Sequence, residues 1–324
     1  MRWTIDFPIP VSASKISHES KILSMGSCFA QTIGQKMQDS KFAILVNPFG
    51  TIFHPLNLVD LISLSLSAEP VDAAKILERD GLYLHYLAHS DNREKSRDAL
   101  IGSFHTKLQE VQATLLSGEL LILTLGTAWI YEHQTLGRVA NCHKQPQKLF
   151  TKRLTELKEM QAEMEAVLEK IQAQNPKLQV ILTLSPVRHI KDGVAENQLS
   201  KSLLRVLCGR LESKFEQVSY FPAYEILMDE LRDYRFYKSD LIHPTEEAEN
   251  YIWERWQAVH FSPETQKSVA KIEKIKLELS HRPFNPATEA HRKFLQNLLA
   301  KLERLNAEFD FSKEIEEVNR QLRK

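Results

Sequence analysis

The stretch ILSMGSCFAQTIGQKM, residues 22 to 37, combines an apolar run, a break at Gly26 and a resumption of apolar residues at helical spacing. It predicts a buried strand, a tight turn and an amphipathic helix in immediate succession. The strand ends at Gly26 and the helical pattern begins around Phe29, so Ser27 and Cys28 lie where the strand becomes the helix. Similar units recur along the chain.

Five runs in the chain are nearly continuous in apolar or β-branched residues. They are KILSM at 21–25, FAILV at 42–46, LLILTL at 120–125, LQVILTL at 178–184 and QVSYF at 217–221. Such runs are typical of strands buried on both faces of a parallel sheet. The segments between them have helical period, most clearly residues 151 to 173, which predicts right-handed crossovers and an α/β fold, a three-layer α/β/α sandwich with a mainly parallel sheet. Ligand sites in such folds lie at the carboxyl ends of the strands.

Beyond about residue 260 the strand signals cease and the sequence becomes charged and helical. Two apolar stripes recur there at three- and four-residue steps: Phe294, Leu298, Leu302, Leu305 and Phe309, then Phe311, Ile315, Val318 and Leu322. We therefore predict an α/β domain over residues 1–260 and a helical C-terminal extension over 261–324. These helices pack either on the sandwich or on another subunit, which leaves open a homo-oligomer through the C-terminal helices.

The composition argues against several classes of partner. Lysine plus arginine and aspartate plus glutamate both number 42, so no net charge attracts nucleic acid or an acidic membrane. The three cysteines form no C-x-x-C pair, which disfavours a disulfide framework and fits a reducing compartment. The first residues lack the features of a signal peptide, and no run reaches the roughly 18 apolar residues of a membrane span. We expect a cytoplasmic protein without membrane segments.

No cofactor or metal is expected from the motifs. The glycines form neither G-x-G-x-x-G nor G-x-x-x-x-G-K-[ST], so we predict no nucleotide site. Asn141, Cys142 and His143 are adjacent, and neighbouring side chains on an extended chain point to opposite faces, which disfavours a metal site.

A few further residues are ambiguous. His189 follows the strand VILTLSPV and stands at a carboxyl strand end, where it contacts substrate or is a plain loop histidine. His54 carries the same ambiguity. Trp129 and Tyr131, just past the third core strand, form either a wall for a sugar ring or part of the core.

Ser27 has two interpretations. Backbone N–H groups at a helix start lack partners and carry partial positive charge, so they can bind an oxyanion that forms beside a serine nucleophile. Serine is also a frequent helix N-cap, which is a structural role. Cys28 competes as nucleophile because a thiol at a helix N-terminus has a lowered pKa, unless it is simply a small buried residue. One of the two side chains should point inward.

A serine hydroxyl needs a base, and the segment YKSDLIHPTEEAENYIWERW, residues 237 to 256, contains a candidate. Asp240 precedes His243 by three residues and Pro244 opens a helix, so the histidine lies on a loop just ahead of that helix. Asp240 can curl back to accept the ring N–H, which fixes the tautomer and stabilises the imidazolium. A solvated loop histidine is the commoner explanation of D-x-x-H-P alone, but the combination with a strand-turn serine in an α/β/α chain is far more specific.

These residues resemble a known family. MGSCFA at 25–30 carries the five letters that name the GSCFA domain family, and DLIHP resembles the last sequence block of the related SGNH (GDSL-like) serine hydrolases. The resemblance covers residues 1 to about 260 and implies a flavodoxin-like hydrolase fold. Other segments that look like the family are NPFGTIFHP at 47–55, LTLGTAWIY at 123–131, ANCHK at 140–144 and SPVRH at 185–189.

The resemblance also implies roles for individual residues. Ser27 would be the nucleophile, His243 the base and Asp240 the residue that orients the base. Oxyanion donors would be the Ser27 N–H, the glycine of the second block, assigned to Gly50, and an asparagine. The third block of the wider superfamily reads G-x-N-D, whereas this chain has GTAW at 126–129, so we assign the asparagine to Asn141.

The sequence therefore predicts a serine esterase that hydrolyses acyl esters without a cofactor, acting on a small-molecule or carbohydrate ester. The resemblance points to short acyl groups such as acetyl on carbohydrate. The alternative is a catalytically weak or inactive protein that keeps the fold and binds a ligand, and the altered third block motivates it.

Overall fold

The structure is a computed structural model that describes residues 5, 7–67 and 69–323. Its strands are β1 (Ile22–Gly26), β2 (Ile44–Val46), β3 (Ile76–Arg79), β4 (Leu82–His85), β5 (Arg93–Glu94), β6 (Leu120–Leu125), β7 (Trp129–His133), β8 (Gly137–Val139), β9 (Phe150–Leu154), β10 (Gln179–Leu184) and β11 (Val218–Phe221). Its helices are α1 (Cys28–Asp39), α2 (Pro55–Ser67), α3 (Arg97–Ser117), α4 (Leu157–Gln174), α5 (Val194–Lys214), α6 (Ala223–Glu225), α7 (Glu246–His260), α8 (Pro263–Leu279), α9 (Glu289–Leu305) and α10 (Ser312–Leu322).

Five strands form one parallel sheet in the order β11-β10-β6-β1-β2. Every residue of β1 and of β6 is buried, which is why their sequences are nearly continuous in apolar residues instead of alternating. The five predicted strands are confirmed. Their order is that of a doubly wound, flavodoxin-like sheet, in which the strand order reverses between β1 and β6.

Helices cover both faces of this sheet. Leu121 and Leu123 of β6 pack in a cluster with residues of α2, α3, α4 and α5. Leu120 and Ile122 of the same strand pack in a second cluster with residues of α1 and α7. Because alternate side chains of a strand point to opposite faces, these clusters are the two cores of a three-layer α/β/α sandwich.

Residues 151–173, predicted as one helix, are a strand followed by a helix. Strand β9 pairs antiparallel with β7, and α4 begins only at Leu157. The later part of the predicted stripe is correct, since Met164, Val167 and Ile171 are buried in α4. The short segment TKRL cannot by itself be told from a first helical turn, so pairing with β7 decides its conformation.

Pro244 does not open α7, contrary to the sequence prediction. The helix begins at Glu246 and its N-cap is Thr245, whose hydroxyl accepts the Ala248 N–H over 3.4 Å. Pro244 instead forms an isolated antiparallel bridge with Tyr237. The loop that carries His243 is therefore closed by its own strand-like pairing ahead of the helix.

Two three-stranded antiparallel sheets, β3-β4-β5 and β8-β7-β9, were not predicted. Their strands have two to five residues and most of their positions are partly exposed, so they leave little apolar signal. Trp129 and Tyr131 lie on β7 and therefore belong to the second of these sheets.

Helices α8, α9 and α10 bury the two predicted stripes in one cluster that includes Leu298, Leu302 and Val318. This cluster joins the α/β part through a tilted ring contact of His18 with Phe309, whose centroids are 4.7 Å apart, and through links such as the ion pair of Lys41 with Glu314. Of the two arrangements expected from the sequence, the structure shows the C-terminal helices packed on the sandwich. A homo-oligomer through these helices stays a prediction. Within the described ranges, none of the helices combines the length and the apolar character needed to span a bilayer.

Candidate functional site at the carboxyl edge of the sheet

Ser27 stands at the carboxyl end of β1, next to the reversal of strand order where ligands of such sheets bind. It is fully buried and caps α1, because its hydroxyl accepts the Phe29 N–H over 3.3 Å. Its own N–H donates to the Thr124 carbonyl over 3.1 Å. Of the two interpretations, the N-cap is therefore observed, and this N–H is not free to hold an oxyanion in this conformation.

Cys28 is the first residue of α1 and is partly exposed, so Ser27 is the inward-pointing member of the pair. Burial raises the pKa of the Cys28 thiol. The expected lowering by the helix N-terminus is therefore wrong for this thiol, because the cost of desolvating a thiolate is larger than the stabilisation by the backbone. Cys28 is poorly suited as a nucleophile at neutral pH.

Asp240 and His243 form the hydrogen bond expected from their spacing. Nδ1 of His243 lies 2.7 Å from Oδ2 of Asp240, and Oδ1 of Asp240 accepts the backbone N–H groups of His243 and Ile242. These bonds hold the pKa of Asp240 well below its ordinary value, the backbone N–H of His243 having the largest effect. The ionised carboxylate can only accept, so Nδ1 carries the proton of the neutral ring and Nε2 is the basic nitrogen.

Arg188 holds this loop against the end of β10, and sequence reasoning missed it. Its backbone N–H donates to the Ile242 carbonyl over 3.2 Å, and its guanidinium lies 4.0 Å from the ring centroid of Tyr237. A side-chain N–H of Arg188 also reaches the Leu241 carbonyl at 3.3 Å. In the segment SPVRH, only His189 was singled out from the sequence. That the preceding Arg188 positions the His243 loop becomes visible only in the fold.

The structure places Ser27 and His243 at the same edge of the sheet but does not join them. Among the described residues, no hydrogen bond links the Ser27 hydroxyl to either ring nitrogen of His243. The His243 side chain is 42% exposed, whereas Ser27 has no exposed surface. In this conformation the Ser27 hydroxyl therefore has no hydrogen bond through which His243 could take its proton.

The predicted oxyanion donors are only partly available. The Gly50 N–H donates to the Asn47 carbonyl over 2.7 Å, so it is engaged within its own turn. Oδ1 of Asn141 accepts the His143 N–H over 2.8 Å, whereas its amide nitrogen makes no hydrogen bond to a residue that the structure describes. Of the three predicted oxyanion donors, the N–H groups of Ser27 and Gly50 are therefore engaged in this conformation.

Asn47, which sequence reasoning did not single out, fixes the turn that precedes Ser27. Its Oδ1 accepts the Gly26 N–H over 2.9 Å, and its backbone N–H donates to the Ser24 carbonyl over 2.8 Å. The same segment continues to Phe53, whose carbonyl accepts the N–H of Gly126 over 2.8 Å. Residues 47–53 therefore connect the ends of β1 and β6.

A cleft of about 400 Å³ opens beside this edge, between β7 and the ends of the central strands. Asn141 and His189 line it, as do Trp129 and Tyr131 of β7, whereas Ser27 and His243 do not. Burial lowers the pKa of His189 to about 3, and the nearby charge of Lys201 acts in the same direction. The structure thus collects the predicted substrate contacts in one cleft and leaves the predicted nucleophile and base outside it.

His54 also lines the cleft, but its ring is held within the protein. Nε2 lies 2.9 Å from the Thr155 hydroxyl, and Nδ1 accepts the Leu56 N–H over 3.1 Å. Burial lowers its pKa to about 3, so it is neutral and structural. Within the described residues, no group of three or more His, Cys, Asp or Glu side chains has the arrangement of a metal site.

The strand order and the Asp240–His243 loop define a doubly wound, flavodoxin-like α/β protein with a polar carboxyl edge. The sequence model of the GSCFA family matches residues 21–256, and the model described as GSCFA domain protein, C-terminal domain, matches residues 272–324. The chain belongs to the GSCFA family. Comparison with curated proteins and with solved structures gives no match.

Proposed function

We propose that this protein is a serine hydrolase that cleaves acyl esters, with Ser27 as nucleophile and His243 as base. The observation that carries the proposal is the 2.7 Å hydrogen bond between Asp240 and His243, which leaves Nε2 of the histidine as the basic atom. The position of Ser27 after β1, at the reversal of strand order, supports it. The sequence resemblance to SGNH hydrolases points to the same residues.

In the proposed reaction, the Ser27 oxygen attacks the acyl carbon while Nε2 of His243 takes the hydroxyl proton. The histidine returns this proton to the leaving alcohol, and an acyl-serine remains. Water, deprotonated by the same nitrogen, then releases the acid and restores the serine. Asp240 keeps the imidazole in the required tautomer throughout, and the base contributes roughly 10²- to 10⁴-fold.

The proposed substrates are small-molecule or carbohydrate esters with short acyl groups such as acetyl. The site edge has a cleft for the alcohol part, lined by Trp129, Tyr131 and His189. No cofactor enters the proposed reaction. The cysteine pattern supports a cytoplasmic location.

A specific observation favours the second candidate, a GSCFA protein that binds a ligand without turnover. The Ser27 side chain has no exposed surface, and both its hydroxyl and its N–H make structural hydrogen bonds. A protein that never opens this turn would keep the cleft and lack the reaction.

The test is intact-mass spectrometry after incubation with a fluorophosphonate, which labels activated serines. We expect one stoichiometric adduct on the native protein, its loss in Ser27→Gly and His243→Ala, and slower labelling of Asp240→Asn. Ser27→Gly is chosen because glycine is tolerated at an N-cap, so the variant should fold. Cys28→Ala is the matched control and should label like the native protein.

Folding of each variant is checked by circular dichroism and a thermal transition. A folded native protein that takes no adduct contradicts the hydrolase and favours the binding protein. An adduct that survives in Ser27→Gly moves the nucleophile to another residue.

A further inference from the structure

The cleft beside β7 contains buried hydrogen-bond donors that have no acceptor. Asn57 of α2 is 2% exposed, and its Nδ2 makes no hydrogen bond to any described residue. The indole nitrogen of Trp129 is likewise buried and unpaired. Both residues line the cleft. Native proteins pair nearly all buried polar groups, so two orphaned donors on residues that line one cleft favour a ligand that supplies the acceptors.

The rest of the polar lining also favours an acceptor-rich ligand. The indole N–H can only donate, and the amide nitrogen of Asn141 donates as well. Nε2 of His189 is buried and bonds to none of the described residues, and the His189 ring packs edge-on against Phe53 at a centroid distance of 5.0 Å. Asn57, Trp129 and Asn141 thus bring side-chain N–H donors to the lining of one cleft.

The charged side chains that line the cleft carry a net positive charge. Lys152 and Lys191 line the cleft with one carboxylate, that of Asp192, among the described lining residues. Lys152 pairs with Asp192, and its ammonium lies 5.3 Å from the Trp129 ring centroid and 5.4 Å from that of Tyr131. Asp192 offsets one of the two lysine charges, so the three groups together keep one net positive charge for an anion, and Lys152 is held directly above the aromatic wall.

We propose that this cleft binds a small organic carboxylate of the size of a sugar acid. The carboxylate lies against Lys152 and Lys191, and the ligand's hydroxyl or carbonyl oxygens accept from Asn57, Trp129 and Asn141. A volume of about 400 Å³ is within the range of small-molecule pockets and accommodates a single substituted ring. Ser27 and His243 do not line the cleft, so the inference does not rest on ester hydrolysis.

Isothermal titration calorimetry with glucuronate and galacturonate, and with glucose and galactose as matched neutral sugars, tests the proposal. We expect saturable binding of at least one acid to the full chain, at least tenfold tighter than its neutral counterpart. Lys152→Met and Asn57→Leu should each weaken that binding at least tenfold. Lys148→Met removes an exposed lysine outside the cleft and should leave the affinity unchanged.

The Ser27→Gly variant should bind the acid like the native protein, which separates this inference from the proposed reaction. Absence of saturable binding of both acids, equal binding of the neutral sugars, or full affinity in both Lys152→Met and Asn57→Leu would overturn the proposal. Since Lys152 is at the rim, its variant remains informative if Asn57→Leu fails to fold.

Discussion

Gly26 lies so close to Thr124 that a Cβ built on it would stand 2.2 Å from the Thr124 carbonyl oxygen. The φ angle of Gly26 is +145°, a backbone conformation that residues with a side chain rarely adopt. The same carbonyl accepts the Ser27 N–H, so the close approach of β1 and β6 fixes the geometry of the turn. Any side chain at position 26 must push the two strands apart.

Gly26→Ala is therefore expected to reduce the free energy of unfolding by roughly 3 kcal/mol, from backbone strain and overpacking together. Urea denaturation followed by circular dichroism measures this. Gly81→Ala is the matched control, because Gly81 has φ +75° but nothing within 4 Å of its Cβ position. If both variants lose the same stability, contact with Thr124 is not the cause.

Arg188→Leu is expected to loosen the loop that carries His243, because it removes the guanidinium that stacks on Tyr237 and bonds to Leu241. The free energy of local opening of this loop should fall by about 1 kcal/mol, so the backbone amides of residues 241–243 should exchange roughly fivefold faster. Hydrogen exchange with mass spectrometry measures it.

Arg205→Leu is the control for that prediction. Arg205 stacks on Tyr220 at the same 4.0 Å distance but belongs to α5, away from the loop. Exchange of residues 241–243 should be unchanged in this variant, and equal acceleration in both variants would show that Arg188 has no special role.

Lys201 is expected to make stability depend on pH, since it is fully buried and its ammonium donates to the Ser185 carbonyl over 2.7 Å. Burial lowers its pKa to about 7 from an ordinary value of 10.5. Between pH 7 and pH 10.5 Lys201 binds a proton more fully in the unfolded chain than in the folded protein. The free energy of unfolding of the native protein, relative to that of Lys201→Met, should therefore rise with pH over this range. The slope is at most about 1.4 kcal/mol per pH unit, and the destabilising effect of the charge is complete below pH 7.

Urea denaturation of the two proteins at several pH values from 6 to 10 measures that difference. Lys170→Met, which replaces an exposed lysine on α4, should change stability by no more than about 0.5 kcal/mol at every pH. A difference between native protein and Lys201→Met that stays constant with pH would rule out the titration.

Phe311 anchors the C-terminal helices, because it is fully buried in their shared cluster and Lys41 of the α/β part lies 4.6 Å from its ring centroid. Phe311→Ala should cost about 3 to 5 kcal/mol of stability in that part of the chain. Limited proteolysis, followed by mass spectrometry of the cleavage sites, should show earlier cleavage beyond residue 272. Phe284→Ala replaces a fully exposed phenylalanine and should leave the cleavage pattern unchanged.

Much of the fold follows from local pattern. A nearly unbroken apolar run such as LLILTL at 120–125 predicts a buried strand, and the spacing of Leu298 and Leu302 predicts the buried face of a helix. Strand β9 was not predicted because five residues carry too little periodicity and because its partner β7 is not adjacent to it in sequence. Short strands are specified by pairing, which a local pattern does not contain.

At the candidate site, contacts between residues that are close along the chain could be predicted from the sequence. Asp240 and His243 are three residues apart, so a single turn brings the carboxylate to the ring. The burial and bonding of Ser27 could not be predicted, because its N–H donates to Thr124 nearly 100 residues later in the chain. The same is true of the grouping of Asn57 with Trp129 in one cleft. Such contacts depend on how strands are ordered in the sheet, and the free energy that selects this order comes from burial of the whole core.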